Sequence, residues 1–132
     1  LLIASTADGC PIGQIRFDRQ PSSVHPAASE AKLGLSLDRC ARGHGLAVEL
    51  VRFGLQAMEQ RWGPAVEAVA EVLNSNTASN ACFARAGFTF DTELHSETPH
   101  PGSRALNRWR WRRSASHCSA IVAVGSMLFF QI

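Results

Sequence analysis

The sequence has 132 residues, of which 45 % are hydrophobic and 18 % charged, and its 13 basic and 11 acidic side chains give a net charge of +2. This is one domain's worth of ordinary globular composition, which excludes a collagen-like, coiled-coil or wholly disordered chain, and the small net charge gives no general pull toward nucleic acid or membrane. Two features stand out: the chain starts with Leu, which reads as a processed product or a fragment, and it contains no Tyr.

Residues 1–4 read as a short strand and 6–11 as a turn, because Asp8-Gly9 and Pro11 punctuate the chain. Residues 12–18 alternate, with Ile12, Gln14, Arg16 and Asp18 on one side and Gly13, Ile15 and Phe17 on the other. Two strands around a tight turn make a hairpin. Residues 20–31 carry prolines and serines and read as a loop, and residues 32–38 form a third strand with Leu33, Leu35 and Leu37 on one face.

From residue 45 to 62 the period becomes helical: Leu46, Leu50, Phe53 and Ala57 recur on one face, and Val48, Val51, Leu55, Met58 and Trp62 widen the stripe. Gly63-Pro64 ends this helix. Residues 66–73 read as a strand covered on much of both faces, 76–86 as a second helix closed by Gly87, and 88–94 and 105–112 as two further strands. The order β-β-β-α-β-α-β-β joins an antiparallel start to a parallel crossover, which makes a mixed α/β (α+β) sheet. No internal repeat or interdomain linker is visible. The core is expected over 1–113, with 114–132 as a C-terminal tail. The apolar stretch 120–130 in that tail is shorter than the ~18 to 20 residues a membrane helix needs.

Cys10, Cys40, Cys82 and Cys118 are widely spaced and form no C-x-x-C pair. Free thiols in a reducing, cytoplasmic setting are therefore expected. His25, His44, His95, His100 and His117 have no metal-ligand spacing, so no metal site is expected.

The chemistry concentrates where the third strand meets the long helix: Leu35-Ser36-Leu37-Asp38-Arg39-Cys40-Ala41-Arg42-Gly43-His44-Gly45-Leu46-Ala47. A strand that runs into a glycine-rich turn opening a helix aims free backbone N–H groups at one point, which suits a phosphate. Arg42 adds charge. The turn is neither a Walker loop nor G-x-G-x-x-G, and a plain structural turn is the alternative reading.

Arg42-Gly43-His44-Gly45-Leu46-Ala47 matches Arg/Gln-x-x-Gly-x-Gly/Ala and resembles the coenzyme A pyrophosphate loop of the GNAT (Gcn5-related) N-acetyltransferase superfamily. A second block, from Asn76 through Ser79 and Phe83 to Gly87-Phe88, resembles that family's Asn-x-x-Ala/Ser…aromatic…Gly-Phe signature. The resemblance implies the acyl-CoA N-acyltransferase fold. In it the backbone of Leu35, Ser36 and Leu37 pairs with the pantetheine arm, and a bulge splays the third strand from its neighbour. It implies that the amides of Gly43, His44, Gly45, Leu46, Ala47 and Val48 hold the pyrophosphate. Asn76 bonds the coenzyme arm and Phe83 packs against it. Glu71, five residues before Asn76, stands where family members carry a general base that acts through a water. Mapped on that fold, Leu1 falls at about the second strand, with the first strand and first two helices not in the sequence.

The chain departs from the family at Phe83, where many members carry a Tyr that protonates the leaving thiolate. With no Tyr in the sequence, no other Tyr substitutes. Cys82 is adjacent, but helical spacing points it elsewhere. Ser79 and Asn80 read either as coenzyme contacts or as caps of the second helix. Arg108-Trp109-Arg110-Trp111-Arg112-Arg113 reads as an edge strand with its Trp face on the sheet and its Arg face in water; stacking on single-stranded nucleic acid is the alternative.

The expected function is an acetyl-CoA-dependent N-acetyltransferase, with acetyl-CoA as cosubstrate. The acceptor is a primary amine on a small metabolite, an amino sugar or a protein N-terminus. Residues 13–18 and 79–88 also look somewhat like the acetyltransferases of pseudaminic-acid-type sugar pathways. Neither nucleic acid nor membrane is an expected partner, and a homodimer is left open. The rival reading is a non-catalytic acyl-CoA-binding module.

Overall fold

The computed structural model describes residues 1–22, 29–95 and 105–113. Alternating apolar residues place β1 at Leu2–Ser5, β2 at Pro11–Pro21 and β3 at Ser29–Leu37. After a short 3-10 turn at Arg39–Ala41 come α1 (Leu46–Trp62), β4 (Glu67–Leu73), α2 (Thr77–Arg85), β5 (Thr89–Leu94) and β6 (Leu106–Trp111). The strands form one sheet in the order β1-β2-β3-β4-β6-β5. Every neighbouring pair is antiparallel except β3 and β4, which run parallel. The expected element order and mixed sheet are observed.

Most of residues 20–31 that read as a loop belong to strands where they are described. Arg19 pairs with Ala31, Gln20 with Glu30 and Pro21 with Ser29. Prolines and serines suggested a break, but Pro21 is the last residue of its strand, where a missing N–H costs little. Ile12 is 8 % exposed and joins the core with Ile15, although alternation from Gln14 would put it outside. The β1–β2 register shifts at this point, and such a shift re-aims a side chain. The tail 114–132 and the loop 96–104 lie outside the described residues.

Both α-helices pack on one face of the sheet. Gly54 of α1 comes so close to β2 that an added Cβ would lie 2.7 Å from Ile15 Cδ1 and 3.0 Å from Phe17 Cε2. Leu50, Val51, Leu55 and Met58 of α1 and Phe83 of α2 fill the core against Ala68, Ala70 and Val72 of β4. No helix of the described residues is long and apolar enough to cross a membrane.

The opposite face carries charge. Glu30 of β3 is fully buried and accepts from Arg108 Nη2 at 2.5 Å, Arg110 Nη1 at 3.3 Å and Gln20 Nε2 at 3.0 Å. Arg110 also reaches Glu67 at 2.7 Å and Asp91 at 2.9 Å. Trp109 and Trp111 pack against the core as expected, but the edge position and the water-facing arginines of the reading of residues 108–113 are overturned. β6 is an interior strand between β4 and β5, and Arg108 and Arg110 are 9 % and 5 % exposed. Their guanidiniums are spent on carboxylates brought from β3, β4 and β5, so they present no stacking surface to nucleic acid.

Burial alone would raise the Glu30 carboxyl, but the hydrogen bonds from Gln20, Arg108 and Arg110 outweigh it and hold it below the usual value. Its contribution to stability is therefore complete above the ordinary carboxyl value of 4.5 and is lost as pH falls through the lowered folded value. Glu30→Gln leaves two buried guanidiniums short of a counter-charge and should cost about 3 kcal/mol in denaturant unfolding at pH 7. The variant should also lose less stability than the native chain on acidification below pH 4.5.

Candidate active site at the strand fork

Parallel pairing between β3 and β4 covers Glu30–Glu67, Ala31–Ala68 and Lys32–Val69 and then stops. β3 continues to Leu37 and β4 to Leu73, so the two strands part as a fork whose apex is Lys32 and Val69. The expected splay is present. The expected bulge is not: β3 keeps unbroken register with β2 from Ser29 to Leu37. One edge of Leu35, Ser36 and Leu37 is thus paired, and the other opens onto the fork.

Each arm of the fork ends at a helix N-terminus. The β3 arm leads through the 3-10 turn into Arg42, Gly43, His44 and Gly45, all exposed, and then into α1. Gly43 and Gly45 have φ of 80° and 78°, a left-handed backbone that glycine adopts at little cost. A Cβ added at either would meet nothing within 4 Å, and no side chain caps α1. The first amides of the helix, at Leu46 and Ala47, thus have no side-chain cap and follow a loop of exposed residues, a cradle whose geometry suits an anion. Val48 N donates back to Gly45 O at 3.1 Å and closes the first turn.

Arg42 serves this loop differently from the sequence expectation. Its Nε and Nη2 donate to Leu37 O at 3.2 and 3.0 Å, which ties the loop to the end of β3. A cavity of about 430 Å³ lies at this end of the strand, lined in part by Gln14, Ser36, Leu37, Arg39 and Arg42.

The β4 arm ends at Asn76, whose Oδ1 accepts from Ser79 N at 3.1 Å and caps α2. Both arms are carboxyl ends of parallel strands, the edge where open α/β sheets bind ligands. Phe83 is 4 % exposed and packs edge-on against Phe88 at 5.1 Å. Cys82 is buried beside it, and burial pushes its thiol up, away from thiolate chemistry.

Glu71 lies on β4 just past the apex, on the charged face. Lys32 Nζ is 2.6 Å from its Oε2, and Arg108 Nη1 is 3.7 Å from its Oε1. The Lys32 contact is invisible in sequence because the two residues are 39 positions apart.

Asn80 proves to be an internal hub rather than an outward contact. Its Nδ2 donates to Leu73 O at 3.0 Å and Asn76 O at 2.8 Å. Its Oδ1 accepts from Asn107 Nδ2 at 3.0 Å and Trp109 Nε1 at 2.8 Å. One side chain thus holds the end of β4, the cap of α2 and β6 together. Asn80→Ala should cost about 2 kcal/mol, because it strands the indole N–H and two carbonyls. Denaturant unfolding checks the loss, and a shift in tryptophan emission should report the freed Trp109.

The acetyltransferase (GNAT) domain model matches residues 1–89. Comparison with curated proteins found no match. Three of the solved structures that share the fold serve as examples. One is a protein assigned as a phosphinothricin N-acetyltransferase (20 % identity, TM-score 0.69, 85 % of this chain and 70 % of that one covered). Another is a spermidine N-acetyltransferase SpeG chimera from Vibrio cholerae and hSSAT (16 %, 0.67, 82 % and 63 %). The third is the ribosomal-protein-S5-alanine acetyltransferase from Vibrio fischeri (17 %, 0.66, 82 % and 57 %). The chain spans 57 to 70 % of the length of these structures, and at such identities the likeness shows the fold. The domain match covers most of the sequence, and the chain belongs to the GNAT acetyltransferase family.

Proposed function

We propose that this chain is an acetyl-CoA-dependent N-acetyltransferase acting on a primary amine of a small metabolite, an amino sugar or a protein N-terminus in a ternary complex. The fork carries this reading: a slot between two diverging parallel strands opens at both ends of its arms onto helix N-termini, one of them a bare glycine cradle. The cradle fits a pyrophosphate, since any side chain at Gly43 or Gly45 would fill the open space. The unpaired edge of Leu35, Ser36 and Leu37 fits an amide-bearing arm added like a strand. Asn76, at the end of the other arm, offers its Nδ2 to that arm while its Oδ1 caps α2.

Acetyl-CoA supplies an acyl group activated as a thioester. Glu71 receives the proton of the acceptor ammonium through a water, and the fork holds acceptor and donor together, which supplies much of the rate. Phe83 carries no hydroxyl and the chain has no Tyr, so the thiolate departs without a tyrosine acid. A parent thiol pKa of about 8.5 makes that tolerable. Free thiols at Cys10, Cys40 and Cys82 support a reducing, cytoplasmic setting.

A second reading, an acyl-CoA-binding module without turnover, is favoured by the two cations on the Glu71 oxygens and by Phe83 in the place of the usual acid.

Calorimetry with acetyl-CoA, followed by thiol release over a panel of amines, separates the two readings. Binding with turnover is expected; binding without turnover on any amine favours the module, and no binding contradicts both. Gly45→Val should weaken coenzyme binding at least about tenfold, because a β-branched side chain both strains the left-handed backbone and blocks the cradle. Glu71→Gln should lower kcat about a hundredfold and flatten the acid limb of the pH–rate profile. An unchanged profile would remove Glu71 from the base role.

A further inference from the structure

Lys32 is the one lysine in the sequence. It is the last β3 residue paired with β4, so it stands at the apex of the fork, and nearly half of its side chain is exposed. Its Nζ lies 2.6 Å from Glu71 Oε2. A primary ammonium belonging to the chain itself therefore stands in direct contact with the carboxylate proposed to receive an acceptor's proton. A partly exposed ion pair adds little to stability, and the Glu30 network two residues away already fixes the base of the fork. Stabilisation is thus a small part of what this contact does.

We infer that Lys32 is itself an acceptor, so that the chain acetylates its own Nζ from acetyl-CoA bound in the fork. This rests on the reading above that places the acetyl thioester between β3 and β4. The ammonium gives one proton to Glu71, and the freed amine attacks the acetyl carbon. The C–N bond forms as the C–S bond breaks, and the nitrogen sheds its second proton. The departing thiolate takes up one proton, which leaves an amide, free coenzyme A thiol and one net proton. The amide carries no charge, so Glu71 keeps only Arg108 as a cationic partner among those contacts, and the fork loses one positive charge. Self-acetylation thereby unlocks Glu71 for an external amine.

The experiment incubates the full chain with acetyl-CoA and follows intact mass, with peptide mapping to separate Lys32 from the N-terminal amine. The expected result is one acetyl group on Lys32. It should form at a rate independent of protein concentration and at least about tenfold faster than in the urea-unfolded chain, the signature of a held nucleophile. Glu71→Gln and Gly45→Val should each slow it, and Lys32→Arg should abolish it. A separate readout uses no acetyl-CoA: an amine-labelling reagent should modify Lys32 faster in Glu71→Gln than in the native chain. Acetyl-CoA binding by calorimetry with Lys32 unmodified, or modified no faster than in the unfolded chain, overturns this inference alone. A rate that rises with protein concentration also overturns it. Absence of acetyl-CoA binding overturns the proposed function and this inference with it.

Discussion

A single buried carboxylate sets the architecture. Glu30 sits at the base of the fork with no solvent exposure and holds Arg108 and Arg110 of β6 from across β4. An uncompensated charge there would be costly, so three strands must stay in one register for the network to close. Glu67 and Asp91 extend the clamp to β4 and β5. The pinned base allows the other ends of β3 and β4 to separate without loss of the sheet, because parallel pairing is needed only at Glu30, Ala31 and Lys32.

The fork in turn orders the rest of the site. Because both arms run in the same direction, both deliver a helix N-terminus to the same edge of the sheet. One arm ends in the cradle at Gly43 and Gly45, the other at the Asn76 cap. Arg42 and Asn80 are the braces that hold these ends: the guanidinium ties the cradle to Leu37, and the amide ties the α2 cap to Leu73 and Trp109. The two faces then divide the labour. The helix face is apolar and supplies the core, and the other face carries the charges, with Lys32 at the apex and Glu71 just past it.

Much of this was legible in the residues. Helical spacing placed α1, and the Gly-x-Gly turn placed the cradle, because both are local patterns. The Arg-Trp alternation of residues 108–113 revealed a strand with two unlike faces, but it could not reveal its neighbours. The acids that neutralise those arginines lie at Glu30, Glu67 and Asp91, far away in sequence, so the alternation alone reads as an edge where the sheet has an interior strand. Asn80 was ambiguous for the same reason, since a cap-like residue at a helix start gives no sign of a tryptophan indole on another strand. Pro21 and Ser29 looked like loop residues, and only pairing across β2 and β3 makes them strand ends.

On the proposed function, the fork and its cradle form one coenzyme site. Hydrogen–deuterium exchange with and without coenzyme A tests it directly. Coenzyme binding should slow exchange at Leu35, Ser36 and Leu37 and from Gly43 to Val48, and leave the amides of β1 and β5 unchanged. Protection confined to other segments, or unchanged exchange in both stretches at saturating coenzyme, would contradict the account.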